Sequence, residues 1–263
     1  MATSDNGEQQ VNARQMFAKL ELAPAYRKVS DSVEQLITSG ALKPGDWLPI
    51  ETDLAEQFGV NRSTIREGLR VLEHGGLVRR DGKRLRVAIP HYGELASRAS
   101  RALVMHQITF RQLWEASLAL ECVTVGFAVE RIGKAGLQAL EHNVAEMQAR
   151  LEDIDSVIKL DIEFHELLAE AAQNPALSLA REPVSLLFYP AGKIILSRIN
   201  TQKRILDAHR KILALLKKRD APGVRTWMER HMADFKRGYE RTGVSLDQPV
   251  DSAVPTRSAF TAS

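Results

Sequence analysis

The sequence predicts a mainly α-helical protein built from two domains. Its 263 residues exceed the usual size of one domain, and the hydrophobic pattern changes near residue 90. Before that point, short helical segments are separated by turn signals and end in two β-type runs. After it come long amphipathic stretches with almost no strand pattern. We therefore expect a small domain with a β-hairpin over residues 22–90 and an all-α bundle of six or seven helices over residues 91–241.

The sequence argues against a membrane-spanning protein and against a secreted one. Hydrophobic residues make up 44% of the chain and charged residues 26%, as in ordinary globular proteins, and no apolar run approaches the ~20 residues of a membrane span. The N-terminal residues lack the apolar core of a secretory signal, and the single cysteine, Cys122, has no intrachain disulfide partner. We expect a cytoplasmic protein that does not bind a membrane.

The two ends of the chain differ from its interior. Residues 1–21 are polar and show no sustained hydrophobic period, and residues 242–263 are mostly small and polar. Such segments bury too little apolar surface to offset the conformational entropy that ordering removes. Both are therefore predicted to be disordered tails.

The sequence after Asn61 predicts a helix with one apolar and one polar face. Asn61 is a good N-cap and Gly75-Gly76 is a good stop, so the helix should run from residue 62 to about residue 74. Its inward face carries Ile65, Leu69 and Leu72, and on or near the other face lie Arg62, Ser63, Arg66 and Arg70. The first face can pack while the second meets DNA.

Two β-type runs follow this helix and predict a wing. Residues 77–80 and 85–89 are joined through Asp81-Gly82, a strong hairpin dipeptide. Between residues 61 and 86 there are eight lysines or arginines and three acids, an excess that suits a phosphate backbone. Helix, tight turn, helix and wing together predict a winged helix-turn-helix that binds double-stranded DNA.

The candidate DNA contacts follow from these positions. The first turn of the helix offers donors for base edges and phosphates, and its dipole favours phosphate. Arg62 and Arg66 are candidates for direct contact, whereas Arg70 fits either a DNA contact or a surface position. The remaining candidates are Asn61, Ser63 and Thr64 on the helix and Lys83 and Arg84 on the wing.

A long motif links this region to a known family. It runs Ile37-x-x-Gly40-x-Leu42-x-Pro44-Gly45-x-x-Leu48-Pro49-x-Glu51-x-x-Leu54-Ala55, then Phe58-Gly59-Val60-Asn61-Arg62-Ser63-Thr64-Ile65-Arg66-Glu67-Gly68-Leu69-Arg70-x-Leu72-Glu73. This pattern resembles the winged helix-turn-helix of the GntR family of bacterial regulators, which implies a homodimer on a pseudo-palindromic operator. Thr52 stands where many relatives carry a DNA-contacting Arg or Lys, and Gly82-Lys83-Arg84 lacks a second glycine common after the lysine. The resemblance adds Thr52 and Gly82 to the candidate contacts.

Three of the seven histidines occupy inward positions of the predicted helical bundle. They are His165, His209 and His231, and Asp161 shares a helix face with His165 at the i, i+4 spacing. Buried imidazoles and carboxylates are costly unless they are paired or coordinated. The four side chains therefore predict a site for a divalent transition metal, Zn²⁺ first, with Ni²⁺, Mn²⁺ or Fe²⁺ also compatible.

The second domain also resembles a known one. The pattern is Asp161-x-x-Phe164-His165-x-x-Leu168-Ala169-x-Ala171-x-x-Asn174-Pro175, followed by His209-x-x-Ile212, Asp220 and His231. It resembles the FCD effector domain of the FadR-type branch, whose metal-bearing members use the matching Asp and three His as ligands. Residues 113–121 resemble a helix that often carries a ligand-binding arginine, here replaced by Ser117. The resemblance implies a small carboxylate effector, with Ser117 and Asn174 as candidate contacts.

The main interpretation is a repressor whose operator affinity is controlled by a metabolite bound at the metal. One alternative keeps the DNA-binding regulator and makes the metal a purely structural staple. A more remote one is a metal-dependent hydrolase with Glu163 or Glu166 as base. Neither glutamate shares the inward stripe of the ligands, and a DNA-binding domain would have no role in a hydrolase, so we do not expect an enzyme.

Overall fold

The computed structural model describes residues 23–89 and 92–250. The chain divides into two compact units, residues 1–90 and 91–263, and each has a hydrophobic core of its own. Helices dominate both units, so the predicted mainly α fold class is confirmed. The tail predicted over residues 1–21 lies outside the described residues. Within the described ranges, no helix has the length and apolar character that a bilayer span requires.

The first unit is a winged helix-turn-helix. Its elements are α1 (Ala25–Thr38), α2 (Glu51–Phe58), α3 (Arg62–His74), β1 (Val78–Asp81) and β2 (Arg84–Val87). The strands are antiparallel, from Val78 opposite Val87 to Asp81 opposite Arg84. The turn between them places Gly82 at φ +61°, where glycine has no steric cost. Because β1 ends at Asp81 and β2 begins at Arg84, the two turn residues are Gly82 and Lys83. The turn thus lies one residue beyond the predicted pair Asp81-Gly82.

Packing in the first unit fixes which face of α3 is exposed. The three residues predicted to face inward, Ile65, Leu69 and Leu72, are all buried. α1 approaches α3 so closely at Gly68 that an added Cβ would lie 2.8 Å from the carbonyl oxygen of Tyr26. The polar face of α3 is consequently the one left on the surface.

The second unit is an all-α bundle. In the described range its eight helices are α4 (Tyr92–Met105), α5 (Phe110–Arg131), α6 (Lys134–Ala149), α7 (Ile154–Ala171), α8 (Pro175–Leu186), α9 (Phe188–Arg198), α10 (Gln202–Lys217) and α11 (Ala221–Arg241). This is one more than the upper predicted number. Leu187 separates α8 from α9, because it is the C-cap of the first and the N-cap of the second. This interruption lies in the stretch where prolines disturb the helical pattern.

Side-chain caps fix the starts of α5, α7 and α11 in the second unit. The largest core cluster joins α5, α6, α7, α10 and α11. Thr109 forms a capping box with Gln112 at the start of α5. Asp153 and Asp220 accept hydrogen bonds from the backbone at the starts of α7 and α11. Each cap satisfies an amide that the helix itself leaves unpaired.

The C-terminal segment requires a correction. Residues 242–250 were expected to be disordered, but Leu246 is buried and its carbonyl accepts a hydrogen bond from the amide of Arg111 at 2.9 Å. The carbonyl of Gln248 accepts from the amide of Phe110. These amides belong to the first turn of α5 and have no partner within that helix. The prediction was wrong because the polar composition concealed one apolar anchor and a set of backbone partners; residues 251–263 lie outside the described residues.

Candidate metal centre and nucleic-acid interface

Four side chains from three helices converge in the core of the second unit. Asp161 and His165 come from α7, His209 from α10 and His231 from α11, and one ligand atom from each lies within 4.8 Å of the others. Nε2 of His165 is 3.3 Å from Nε2 of His231. Nε2 of His209 is 3.2 Å from Oδ1 of Asp161. The structure therefore brings together the four residues that the sequence predicted as metal ligands.

Several of these atoms lack the hydrogen bonds that burial demands. Asp161 Oδ1 and both ring nitrogens of His209 are buried, and none of them has a partner in hydrogen-bonding geometry among the described residues, although Oδ1 and Nε2 approach each other to 3.2 Å. Unpaired buried polar atoms are costly. Donor atoms that share one transition-metal ion lie roughly 3 to 3.5 Å apart, close to the spacings above. Three imidazoles and one carboxylate thus fit a divalent transition metal.

The protonation states also suit metal binding. Burial raises the pKa of Asp161, but His209, His165 and His231 outweigh this and hold it at about 2. Burial, reinforced by the neighbouring His209 and His165, lowers the pKa of His231 to about 3. Burial also lowers the pKa of His209. These three side chains are therefore in their metal-binding forms, an ionised carboxylate and neutral imidazoles, at neutral pH.

Two neighbours orient the ligand rings. The ring of Phe164 stacks on that of His209, with centroids 3.8 Å apart and planes inclined by 7°. Glu121 lies on the other side of the cluster, with Oε2 2.9 Å from Nδ1 of His165. The glutamate accepts a hydrogen bond from Nδ1–H, which leaves the lone pair of His165 Nε2 available to bind a metal.

Glu121 is itself held by a buried arginine. Nε of Arg181 lies 2.8 Å from Oε1 of Glu121, and both side chains are almost completely buried. Burial raises the pKa of Glu121, but Arg181 and then His165 outweigh it and hold the pKa at about 2. In turn Glu121 raises the pKa of His165 against the opposing effect of burial. Arg181, Glu121 and His165 form a chain of charged contacts that ends at the metal cluster.

A cavity of about 160 Å³ opens beside the cluster. Asp161, His165 and His231 form part of its wall together with Ser117, one of the two predicted effector contacts. Asn174, the other, is not among the lining residues. Its side chain instead accepts a hydrogen bond from the amide of Leu177 and caps α8. The structure therefore places Ser117 at the cavity and Asn174 at the start of α8, where its side-chain oxygen serves as a cap.

The DNA-binding candidates lie around α3 and the hairpin. Arg62, Ser63, Arg66 and Arg70 are exposed on α3, and Thr64 is half-buried. Asn61 occupies the N-cap position, although its side chain makes no capping hydrogen bond, and it is exposed. Thr52 on α2 and the wing residues Gly82, Lys83 and Arg84 are exposed as well. All these candidates therefore lie on the surface or partly on it.

Two residues that sequence reasoning did not select hold these arginines in place. Glu51 on α2 accepts a hydrogen bond from Nη2 of Arg66 at 2.9 Å, and this bond lowers the pKa of Glu51. On the wing, the guanidinium of Arg84 lies 5.0 Å from the ring centroid of Trp47, a cation–π contact. Glu51 was visible in the family motif, whereas the contact of Trp47 depends on tertiary packing.

Comparison with known proteins identifies both units. Residues 25–87 match the family model described as "Bacterial regulatory proteins, gntR family", and residues 112–234 match the "FCD domain". The chain is 32% identical over 183 residues to "HTH-type transcriptional regulator LutR" of Bacillus subtilis (strain 168). The matched region covers 67% of this chain and 84% of the relative.

Further comparisons agree. The chain is 34% identical over 165 residues to "HTH-type transcriptional repressor NanR" of Enterobacter sp. (strain 638), which covers 57% of this chain and 61% of the relative. The solved structure of "Streptococcus agalactiae GntR" superimposes with a TM-score of 0.56 at 25% identity and covers 81% of this chain and 99% of that one. These relatives are transcriptional regulators, which confirms the expectation that the chain is not an enzyme.

Proposed function

Because the chain belongs to the GntR family and is a DNA-binding transcriptional regulator with an FCD domain, we propose that it is a repressor controlled by a metabolite. The proposal is that a small carboxylate metabolite binds at a metal held by Asp161, His165, His209 and His231. The repressor assignment is supported by the relative named as a repressor. The observation that carries the sensing role is the convergence of four candidate ligand side chains, three of which line a cavity.

The metal would supply a Lewis-acidic site for an anionic oxygen of the effector. The donor set favours Zn²⁺, because three imidazoles and one carboxylate suit its ligand preferences. The side chains of the chain itself would then do the rest. Glu121 fixes the orientation of His165, and Ser117 offers a hydroxyl to the effector from α5.

For DNA binding we propose a homodimer on a pseudo-palindromic operator. Arg62 and Arg66 would contact the DNA directly, and Asn61, Ser63 and Thr64 would bind phosphates or base edges. Thr52 is too short to replace the long basic side chain common at its position, so backbone attraction would depend more on Lys83 and Arg84 of the wing, with Gly82 as a further candidate contact. Arg70 extends the same exposed face of α3.

Control of DNA binding by the effector would be a linkage between two sites. An effector that binds one conformation of the helical unit more tightly shifts the operator affinity of the dimer by the same coupling free energy. A coupling of about 1 to 3 kcal/mol changes the affinity by one or two orders of magnitude. A larger coupling free energy is not required for a useful switch.

The test compares His209→Ala with the control His142→Ala, which removes an exposed histidine on α6. Metal content is measured on the purified full-length proteins, and operator affinity by fluorescence anisotropy on DNA selected from a random pool by the wild type. Small carboxylates are screened for their effect on that affinity. We expect His209→Ala to lose the metal and the effector response while still binding the operator, and His142→Ala to behave as the wild type.

Two results would contradict the sensing role. An effector response that survives in metal-free His209→Ala, together with a lower melting temperature, would make the metal a structural staple. A wild-type protein that binds no transition metal would exclude the metal site altogether. DNA binding by the first unit would stand in either case.

A further inference from the structure

The cavity beside the metal cluster has a second polar end. Three arginines line it together with one acid: Arg204 on α10 and Arg237 and Arg241 on α11, with Asp234 between them. Nη2 of Arg204 lies 2.9 Å from Oδ1 of Asp234, and Arg237 pairs with the same oxygen. One carboxylate is thus shared by two guanidinium groups, and three positive charges face one negative charge.

The other acids of the cavity do not balance this excess. Glu121 and Asp161 also line it, but Glu121 is already paired with Arg181 and His165. Asp161 belongs to the metal cluster. Among the residues that line the cavity, its arginine end therefore carries more positive than negative charge.

A hydroxyl at the same end also lacks a partner. Oγ1 of Thr201, three residues before Arg204 in the chain, is buried without a hydrogen bond to any described residue, and Thr201 lines the cavity. A buried hydroxyl is normally satisfied by protein, water or ligand. An anionic group that lies against the arginines would give this hydroxyl an acceptor.

The two polar ends are a defined distance apart. Arg204 and His209 share α10, and Arg237 and His231 share α11. At ~1.5 Å of rise per residue, the two pairs are offset by about 7.5 and 9 Å along their helices. Between the ends the wall is apolar and includes Ile205 and Phe235. The cavity therefore combines a metal-binding end, an apolar middle and a cationic end.

From this arrangement we infer that the effector is a compact metabolite with two anionic groups several bonds apart, one at the metal and the other at Arg204, Arg237 and Arg241. The inference rests on the proposed metal-dependent sensing and specifies its ligand class. The shared requirement at the second end is an anionic group, whether carboxylate or phosphate. The cavity volume of about 160 Å³ suits a compact metabolite.

The test uses zinc-loaded full-length protein and isothermal titration calorimetry. The probes are the dicarboxylates from succinate to suberate, each compared with the monocarboxylate of the same chain length, such as adipate with hexanoate. A third probe replaces one carboxylate of adipate by a phosphonate. The double variant combines Arg204→Gln with Arg237→Gln. The control is Arg210→Gln, which removes an exposed arginine of α10 that does not line the cavity.

We expect at least one dicarboxylate or the phosphonate to bind about tenfold or more tightly than its monocarboxylate partner, because a charge-assisted contact is gained. The double variant should lose that advantage and bind the monocarboxylate as the wild type does, and Arg210→Gln should keep it. A preference for adipate or for the phosphonate identifies the second group as carboxylate or phosphate.

Two outcomes would overturn the inference, and they are distinguishable. Zinc-dependent binding with equal affinity for one and two anionic groups, unchanged in the double variant, would reject the second anionic group and leave the proposed sensing function intact. An absence of zinc-dependent binding by every probe would reject both.

Discussion

Glu121 contacts one of the proposed metal ligands, His165, and is not itself one of them. It accepts a hydrogen bond from Nδ1 of His165 and forms an ion pair with Arg181, all in the buried core. We expect Glu121→Gln to weaken zinc binding by about 10- to 100-fold, since residues that orient metal ligands have effects of this size. Competition with a chromogenic chelator measures the change. Glu115→Gln, an exposed position on the same helix, should leave the affinity unaltered.

The same substitution leaves Arg181 buried opposite a neutral amide. Removing one partner of a buried pair destabilises proteins by roughly 3 to 5 kcal/mol, so circular dichroism must show that the variant is folded at the temperature of the zinc titration. Folded Glu121→Gln with wild-type zinc affinity would mean that Glu121 serves stability alone.

Arg66 is the residue-scale test of DNA recognition. It is exposed on α3 and is held by Glu51 at 2.9 Å, which presents the guanidinium at a fixed place. Arg66→Ala should cost about 1 to 3 kcal/mol on the selected operator and relax the sequence preference there. Anisotropy titrations against operator and scrambled DNA measure both effects, with Arg27→Ala, exposed on α1, as the control. An equal loss on both DNAs would assign Arg66 to the phosphate backbone.

Sequence reasoning could find some of these residues and not others. Asp161 and His165 share a helix face, and His209 and His231 lie in apolar stripes, so the local helical period points all four inward. Glu121 and Arg181 meet across two helices, and the arginines of α10 and α11 meet across two others. Such pairs depend on how the helices pack, which no local spacing discloses.

At the scale of elements, the contact between α1 and α3 tolerates little added volume. A Cβ at Gly68 would lie 2.8 Å from the carbonyl oxygen of Tyr26 and 3.0 Å from a methyl group of Val29. Because the first of these atoms is backbone, the helices must separate. We expect Gly68→Ala to lower the free energy of unfolding by about 1 to 3 kcal/mol, measured by urea denaturation.

Gly75 at the end of the same helix provides the control. It has ordinary helical φ, and a Cβ there would meet the carbonyl oxygen of Val71 at 3.4 Å, an ordinary contact. Gly75→Ala should therefore change stability little. An equal loss in the two variants would show that glycine content, and not the close approach of α1, governs the effect.

The local sequence pattern was sufficient to predict most helices of the protein. Most helices follow the hydrophobic period and end at caps or turn residues, so their existence was predictable. The segment after Thr242 was not, because its order depends on the unpaired amides at the start of α5, more than a hundred positions earlier in the chain. When the backbone of a polar segment pairs with the end of a distant helix, no local sequence pattern predicts that the segment is ordered.

At the scale of the whole molecule, the two units have separate cores, and the metal ligands belong to one of them. The pattern change near residue 90 was enough to predict this division, because hydrophobic periodicity is a property of each unit by itself. A ligand that binds only the folded form stabilises only the unit that binds it, by about 2.7 kcal/mol when its free concentration is a hundred times Kd.

Calorimetry of the full-length protein should therefore show two unfolding transitions, of which zinc raises one. Gly68→Ala identifies the transition of the first unit by lowering it, and His209→Ala identifies the other by abolishing its response to zinc. Adding a chelator to the zinc-loaded wild type should lower the second transition and leave the first in place. If the chelator moved both transitions equally, the units would unfold as one cooperative body, and the metal would then act on the stability of the DNA-binding unit as well.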